Sequence, residues 1–125
     1  MRIKKEELPV VMEAPGSVIR NYKSFGGMTV GFVEFPAGTD FTPLLQGLAN
    51  NSCHCPHWGY MLEGEIEMRY DDGTRETIAA GDLFYMQPGH TGVVTRDLKF
   101  LDFSPDKELA EVMDHINRKM AELSQ

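Results

Sequence analysis

The feature that most limits the fold of this 125-residue chain is the spacing of its turn signals. Gly26-Gly27, Asp71-Asp72-Gly73-Thr74, Gly81-Asp82 and Pro88-Gly89 each close a short run of β-forming residues. Gly-Gly and Asp-Gly pairs supply the left-handed backbone that tight hairpins need, so they join antiparallel strands. Val18, Arg20 and Tyr22 alternate with Ile19 and Asn21, and the run 28–35 alternates again. Residues 58–70 form one long strand pattern interrupted at Glu63-Gly64, with Ile66, Met68 and Tyr70 set against Glu65, Glu67 and Arg69. Further short strands are expected at 77–79, 83–86, 93–94 and 100–103. Many short strands at this spacing indicate an all-β sandwich or barrel.

The two ends behave differently. Residues 1–15, with Glu6, Glu7, Pro9 and Pro15, carry no clean period and are expected to be an irregular lead-in or an edge strand. Residues 17–103 form the barrel. From 105 to 123 the period changes, and Leu109, Val112, Met113, Ile116, Met120 and Leu123 fall on one helical face. Ser104-Pro105-Asp106 reads as its cap, with proline at the first helical position. The helix is expected to cover one open side of the barrel, and a dimer contact is the other use for a methionine-rich face. A chain of this length makes one domain.

Composition removes several function classes. A net charge of −7, with no basic cluster longer than Lys4-Lys5, leaves no footprint for nucleic acid and repels anionic lipid. No apolar run approaches the roughly 18 residues that cross a bilayer, and no signal-peptide core follows the charged N-terminus. A cytoplasmic protein is expected, with its two cysteines reduced. A Cys-x-Cys spacing closes too small a ring for a comfortable disulfide, so both thiols are free for other work.

At two places the residues resemble a known family. The segment His57-Trp58-Gly59-Tyr60-Met61-Leu62-Glu63-Gly64-Glu65 resembles the first cupin motif, and Gly81-Asp82-Leu83-Phe84-Tyr85-Met86-Gln87-Pro88-Gly89-His90 is similar to the start of the second. The resemblance covers residues 47–95 and implies a double-stranded β-helix, or jelly-roll barrel, closed by the C-terminal helix. It also implies a divalent metal held by two histidines and a glutamate from the first motif and a histidine from the second. This chain departs at each place. His57 stands at the glutamate position, Cys53 near the second histidine, Asn51 near the first, and Gly92 where the last histidine belongs.

Another ligand set is at hand. If 53–57 is extended, Cys53, Cys55 and His57 share a face, and the resemblance makes that face the interior. His90 and Gly92 share parity on the facing strand, and the missing side chain at 92 leaves room for His90. Cys53, Cys55, His57 and His90 are therefore the expected metal ligands. Two sulfurs and two imidazoles favour zinc, with iron(II) or nickel next. The plainer reading makes the cysteines small buried hydrophobes and the histidines ordinary hydrogen-bonded residues. His54 is expected at the surface, and Trp58 and Tyr60 are expected to pack on the outer face.

Fold alone does not name an activity, because cupins host many chemistries. The reading is a metal-binding cupin of unassigned activity, acting on or sensing a small polar molecule inside the barrel. Its alternatives are a non-enzymatic binding or structural module, and a metal-free barrel that holds an apolar or aromatic ligand among Phe, Met and Tyr residues. A homodimer is the expected partner state. Closure by all four ligands would make the site structural, whereas three would leave an open position.

Overall fold

The computed structural model describes residues 1–124. Its strands are β1 (Val10–Ala14), β2 (Ser17–Phe25), β3 (Met28–Phe35), β4 (His57–Tyr70), β5 (Arg75–Ala79), β6 (Leu83–Met86) and β7 (His90–Pro105). A short helix α1 (Thr42–Leu45) precedes β4, and α2 (Asp106–Leu123) follows β7. Every strand pairing is antiparallel, in the order β1-β2-β3-β7-β4-β5, with β6 on the other side of β4's first half. The last strand thus lies between the third and the fourth, which is how a jelly roll wraps one sheet around a single core.

The hairpin turns fall where expected. Phe25 pairs with Met28 across Gly26-Gly27, and Arg69 with Arg75 across Asp71-Asp72-Gly73. Asp82 Oδ2 accepts the Ala79 N–H at 2.9 Å and pins the β5–β6 turn. Part of the expected lead-in is an edge strand, since β1 pairs with β2 from Val10 to Ala14.

Three local expectations change. The runs 93–94 and 100–103 belong to one 16-residue strand, β7. Arg96 and Asp97 interrupt its hydrophobicity but not its period, because the buried residues stay on even positions from His90 to Ser104. Ser104 is no helix cap: it is still in β7, fully buried, and its hydroxyl is engaged by His57. The helix begins at Asp106, whose carboxylate accepts from Thr29 Oγ1 at 2.6 Å and Ser24 N at 3.2 Å.

β4 changes face halfway along. Met61 is buried on an odd position, and Ile66 and Met68 on even ones. The switch occurs where the β4–β7 register shifts, between Met61 and Ile66. Gly64 sits there with φ of +82°, and a Cβ on it would overlap the Asp97 carbonyl oxygen. Only glycine fits a left-handed position that close to a neighbouring backbone.

α2 closes the open side of the barrel. Leu109, Val112, Met113 and Ile116 face an internal cavity of about 120 Å³. Leu109 and Val112 are buried against Leu45, Cys53 and Cys55, each worth about 2 kcal/mol relative to exposure.

Candidate metal centre

Three side chains meet at the α2 end of the barrel. His57 is the first residue of β4 and His90 the first of β7. Cys53 lies outside any strand but is pinned to His90: Cys53 N–H donates to the His90 carbonyl at 2.7 Å, and His90 N–H returns a bond to the Cys53 carbonyl at 3.0 Å. The backbone pair sets Sγ beside the ring. One donor atom from each of Cys53, His57 and His90 falls within 4.8 Å of the others. Cys53 Sγ is 3.8 Å from His57 Nε2, and the two imidazole centroids are 5.2 Å apart.

Cys55 does not join them. The parity reading required an extended stretch from 53 to 57, but the chain bends at Cys55 and Pro56 interrupts any pairing. Cys55 is buried under α2, and its thiol donates to the Pro56 carbonyl at 3.5 Å. Burial pushes that thiol far up, a rise that Ser104's hydroxyl partly offsets. Both cysteines are free thiols. His54 points away, with Nε2 2.8 Å from the Ala49 carbonyl. His90 does face inward as expected, but the space over Gly92 belongs to Ile66 and Met68, whose side chains a Cβ there would crowd at 3.0 and 3.1 Å.

Hydrogen bonds orient both rings. His90 Nδ1–H donates to the Gln87 carbonyl at 2.7 Å, which leaves Nε2 with a free lone pair facing the cluster. His57 Nδ1 pairs with Ser104 Oγ at 2.7 Å, again leaving Nε2 for the cluster. An outer partner on one ring nitrogen is what a metal-ligating histidine normally has. Burial, then the neighbouring His90, lowers the His57 pKa to about 3, so the ring is neutral. Burial raises Cys53 to about 11. A thiol in that state keeps its proton until a metal ion displaces it.

Two polar residues that sequence reading missed complete the site. Asp102 is buried, its carboxylate 3.5 Å from His57 Nδ1, and burial pushes it up to about 7. Asn21, Gly31 and Asp102 are neighbours across β2, β3 and β7. A Cβ at Gly31 would overlap the Asp102 carboxylate and come within 3.1 Å of Asn21 Oδ1, so that glycine makes space for a polar row. The signal was an acidic residue inside 100–104, Phe-Leu-Asp-Phe-Ser. It was masked because both faces of that segment are rich in apolar residues, so alternation did not say which side was inside.

Comparison with known proteins agrees with this architecture. The EutQ-like cupin domain family matches residues 51–101. An RmlC-like cupin from Shewanella frigidimarina is similar at 19% identity, with 82% of this chain and 88% of that one covered and a TM-score of 0.57. A putative ethanolamine utilization protein Q from Salmonella typhimurium is 16% identical over 76% of this chain and 78% of its own, with a TM-score of 0.55. The FeII form of HppE is 12% identical over 83% and 59%, with a TM-score of 0.57. No curated protein sequence matches. The barrel is of the cupin type, and its segment from 51 to 101 resembles the EutQ-like cupin domain family.

Proposed function

We propose that this protein is a metal-dependent cupin in which Cys53, His57 and His90 hold one divalent ion and present it to a small organic molecule in the barrel. The observation that carries the reading is the convergence of three donor atoms within 4.8 Å, with both imidazoles oriented by outer hydrogen bonds. One thiolate and two neutral imidazoles favour zinc first, then iron(II) or nickel. The likeness to the FeII form of HppE supports iron as the second choice. A bound ion would serve as a Lewis acid or activate a water.

The separation of Cys55 from the cluster supports an open centre. Three protein ligands leave a coordination position for solvent or substrate, which a four-ligand structural site would not. Cys55 is instead placed behind His57, with Ser104 between them.

Metal analysis of protein purified without added metal tests this. Cys53→Ala and His57→Ala should each abolish stoichiometric metal. Cys55→Ala should keep the stoichiometry, whereas Ser104→Ala, which removes the outer partner of His57, should weaken affinity by about tenfold. Stoichiometric metal that survives both Cys53→Ala and His57→Ala would overturn the assignment.

A further inference from the structure

The cavity beside the cluster narrows what this site can accept. Its polar groups are confined to one side, where Asn21, Asp102, His57, His90, Cys53 and Thr91 line it. The adjoining inward row across β4, β7, β3 and β2 is Met61, Phe100, Val33 and Ile19, and Ile66, Met68 and Met86 add to it. The lid is apolar too, from Leu109 to Ile116 of α2.

Among the described residues no lysine or arginine lines the cavity. A di- or tricarboxylate or a phosphate would therefore bring several charges into an apolar chamber where a divalent ion, already met by the Cys53 thiolate, could answer one of them. Burying an unpaired charge is costly enough to exclude such ligands. A polyol fares little better, because hydroxyls placed among Phe100, Val33, Ile66 and Met68 find no partners. The size is also restrictive. A cavity of about 150 Å³ lined by aliphatic and aromatic side chains admits benzene. The 120 Å³ here suits about five non-hydrogen atoms on that scale.

We infer that the cognate ligand is a compact organic molecule of about five heavy atoms, carrying at most one negative charge and apolar except for a single polar group directed at Cys53, His57 and His90. This deepens the reading given under Proposed function and rests on it for the polar end alone. The apolar end follows from the cavity whether or not an ion is held.

The methionines supply a readout. Met68, Met86 and Met113 line the cavity, whereas Met1 is exposed and Met28 lies at the β2–β3 turn. Protein labelled on its methionine methyl groups is titrated with cyclobutanone, cyclopentanone, glycerol and oxalate without metal, and with the two ketones in the presence of cobalt(II). Cyclobutanone or cyclopentanone should shift the Met68, Met86 and Met113 methyls and leave Met1 and Met28 in place, with at least tenfold weaker responses to glycerol and oxalate. In the cobalt(II) protein the two ketones should also change the visible absorption of the ion. Glycerol or oxalate moving the cavity methyls as strongly as the ketones overturns the inference, as does a failure of both ketones to move them. Cavity shifts in protein that fails to bind cobalt(II) would instead remove the metal reading and keep the ligand class. Val33→Phe and Ile19→Phe fill the apolar end from two strands, and either folded variant should lose ketone binding while retaining the ion.

Discussion

The two halves of β4 follow opposite rules. After Gly64, Ile66 and Met68 face inward and Glu65, Glu67 and Arg69 outward, the ordinary pattern of a half-buried strand. Before it, the inner face carries His57, Gly59 and Met61, while Trp58, Tyr60 and Leu62 look outward and remain partly exposed. The half that builds the site thus keeps one core hydrophobe, Met61, has His57 and Gly59 at its other inward positions, and carries its aromatic residues outside. One half makes stability and the other spends its inner face on chemistry, with the bulge at Gly64 dividing them.

The hinge between the halves should be the most sensitive point. Gly64→Ala combines a left-handed backbone with overlap on the Asp97 carbonyl, and is expected to cost about 3 kcal/mol or more. Urea unfolding measures it directly. A cost below about 1 kcal/mol would mean that the face switch can be made without a glycine. Next comes the stabilising half. Met68 is 1% exposed, and Met68→Ala should cost about 2–5 kcal/mol. It borders the cavity, so the new void enlarges an existing one, and a larger ligand should be admitted in compensation.

Much of the ordinary half was legible in the sequence. Ile66, Met68 and Tyr70 alternate cleanly with charged residues, and Asp71-Asp72-Gly73 fixes the turn that follows. The helix over α2 was readable from its own period and does cover the open side. The site half was readable only in part. Strand parity put His57, His90 and Cys55 together on the inner face, but Cys55 lies apart from the other two, because parity holds only where the backbone is extended and the chain bends at Cys55. Trp58 and Tyr60 were expected to pack on the outer face; they lie there and Trp58 stacks on Tyr85, while the two remain 43% and 37% exposed. Asp102 and Ser104 were hidden by apolar neighbours of both parities.

The site half should also show a compensated response to pH in metal-free protein. Burial lowers the His57 pKa from 6.5 to about 3, so between those values the unfolded chain holds a proton that the folded chain lacks. Stability from this residue is present above pH 6.5 and is lost as pH falls toward 3. Burial raises the Asp102 pKa from 3.8 to about 7, which reverses the sign: its contribution is present below 3.8 and is lost as pH rises through 7. The two slopes cancel over most of the range from 3.8 to 6.5. Asp102→Asn should therefore expose a stability that climbs with pH in that window, relative to the parent protein. Identical profiles from urea titrations at several pH values would show that Asp102 is not held neutral by folding.

The smallest effect on stability, and the sharpest contrast with Met68, belongs to the outer face of the first half. Trp58 and Tyr85 stack at 5.1 Å, and Tyr60 pairs with Leu83, which is 83% exposed. No charged side chain lies among these four. Exposed apolar groups contribute little to folding, so a Trp58→Ser, Leu83→Ser double variant should stay within about 0.5 kcal/mol of the parent per substitution. If the expected homodimer forms through this face, the same variant should be monomeric in sedimentation at concentrations where the parent is a dimer. Each copy carries a net charge of −7, so association driven by apolar contact should strengthen as salt screens that repulsion, unlike a contact made of ion pairs. A parent protein that stays monomeric at high salt would deny the outer aromatic residues a copy of themselves as partner. A double variant as unstable as Met68→Ala would erase the difference between the two halves of the strand.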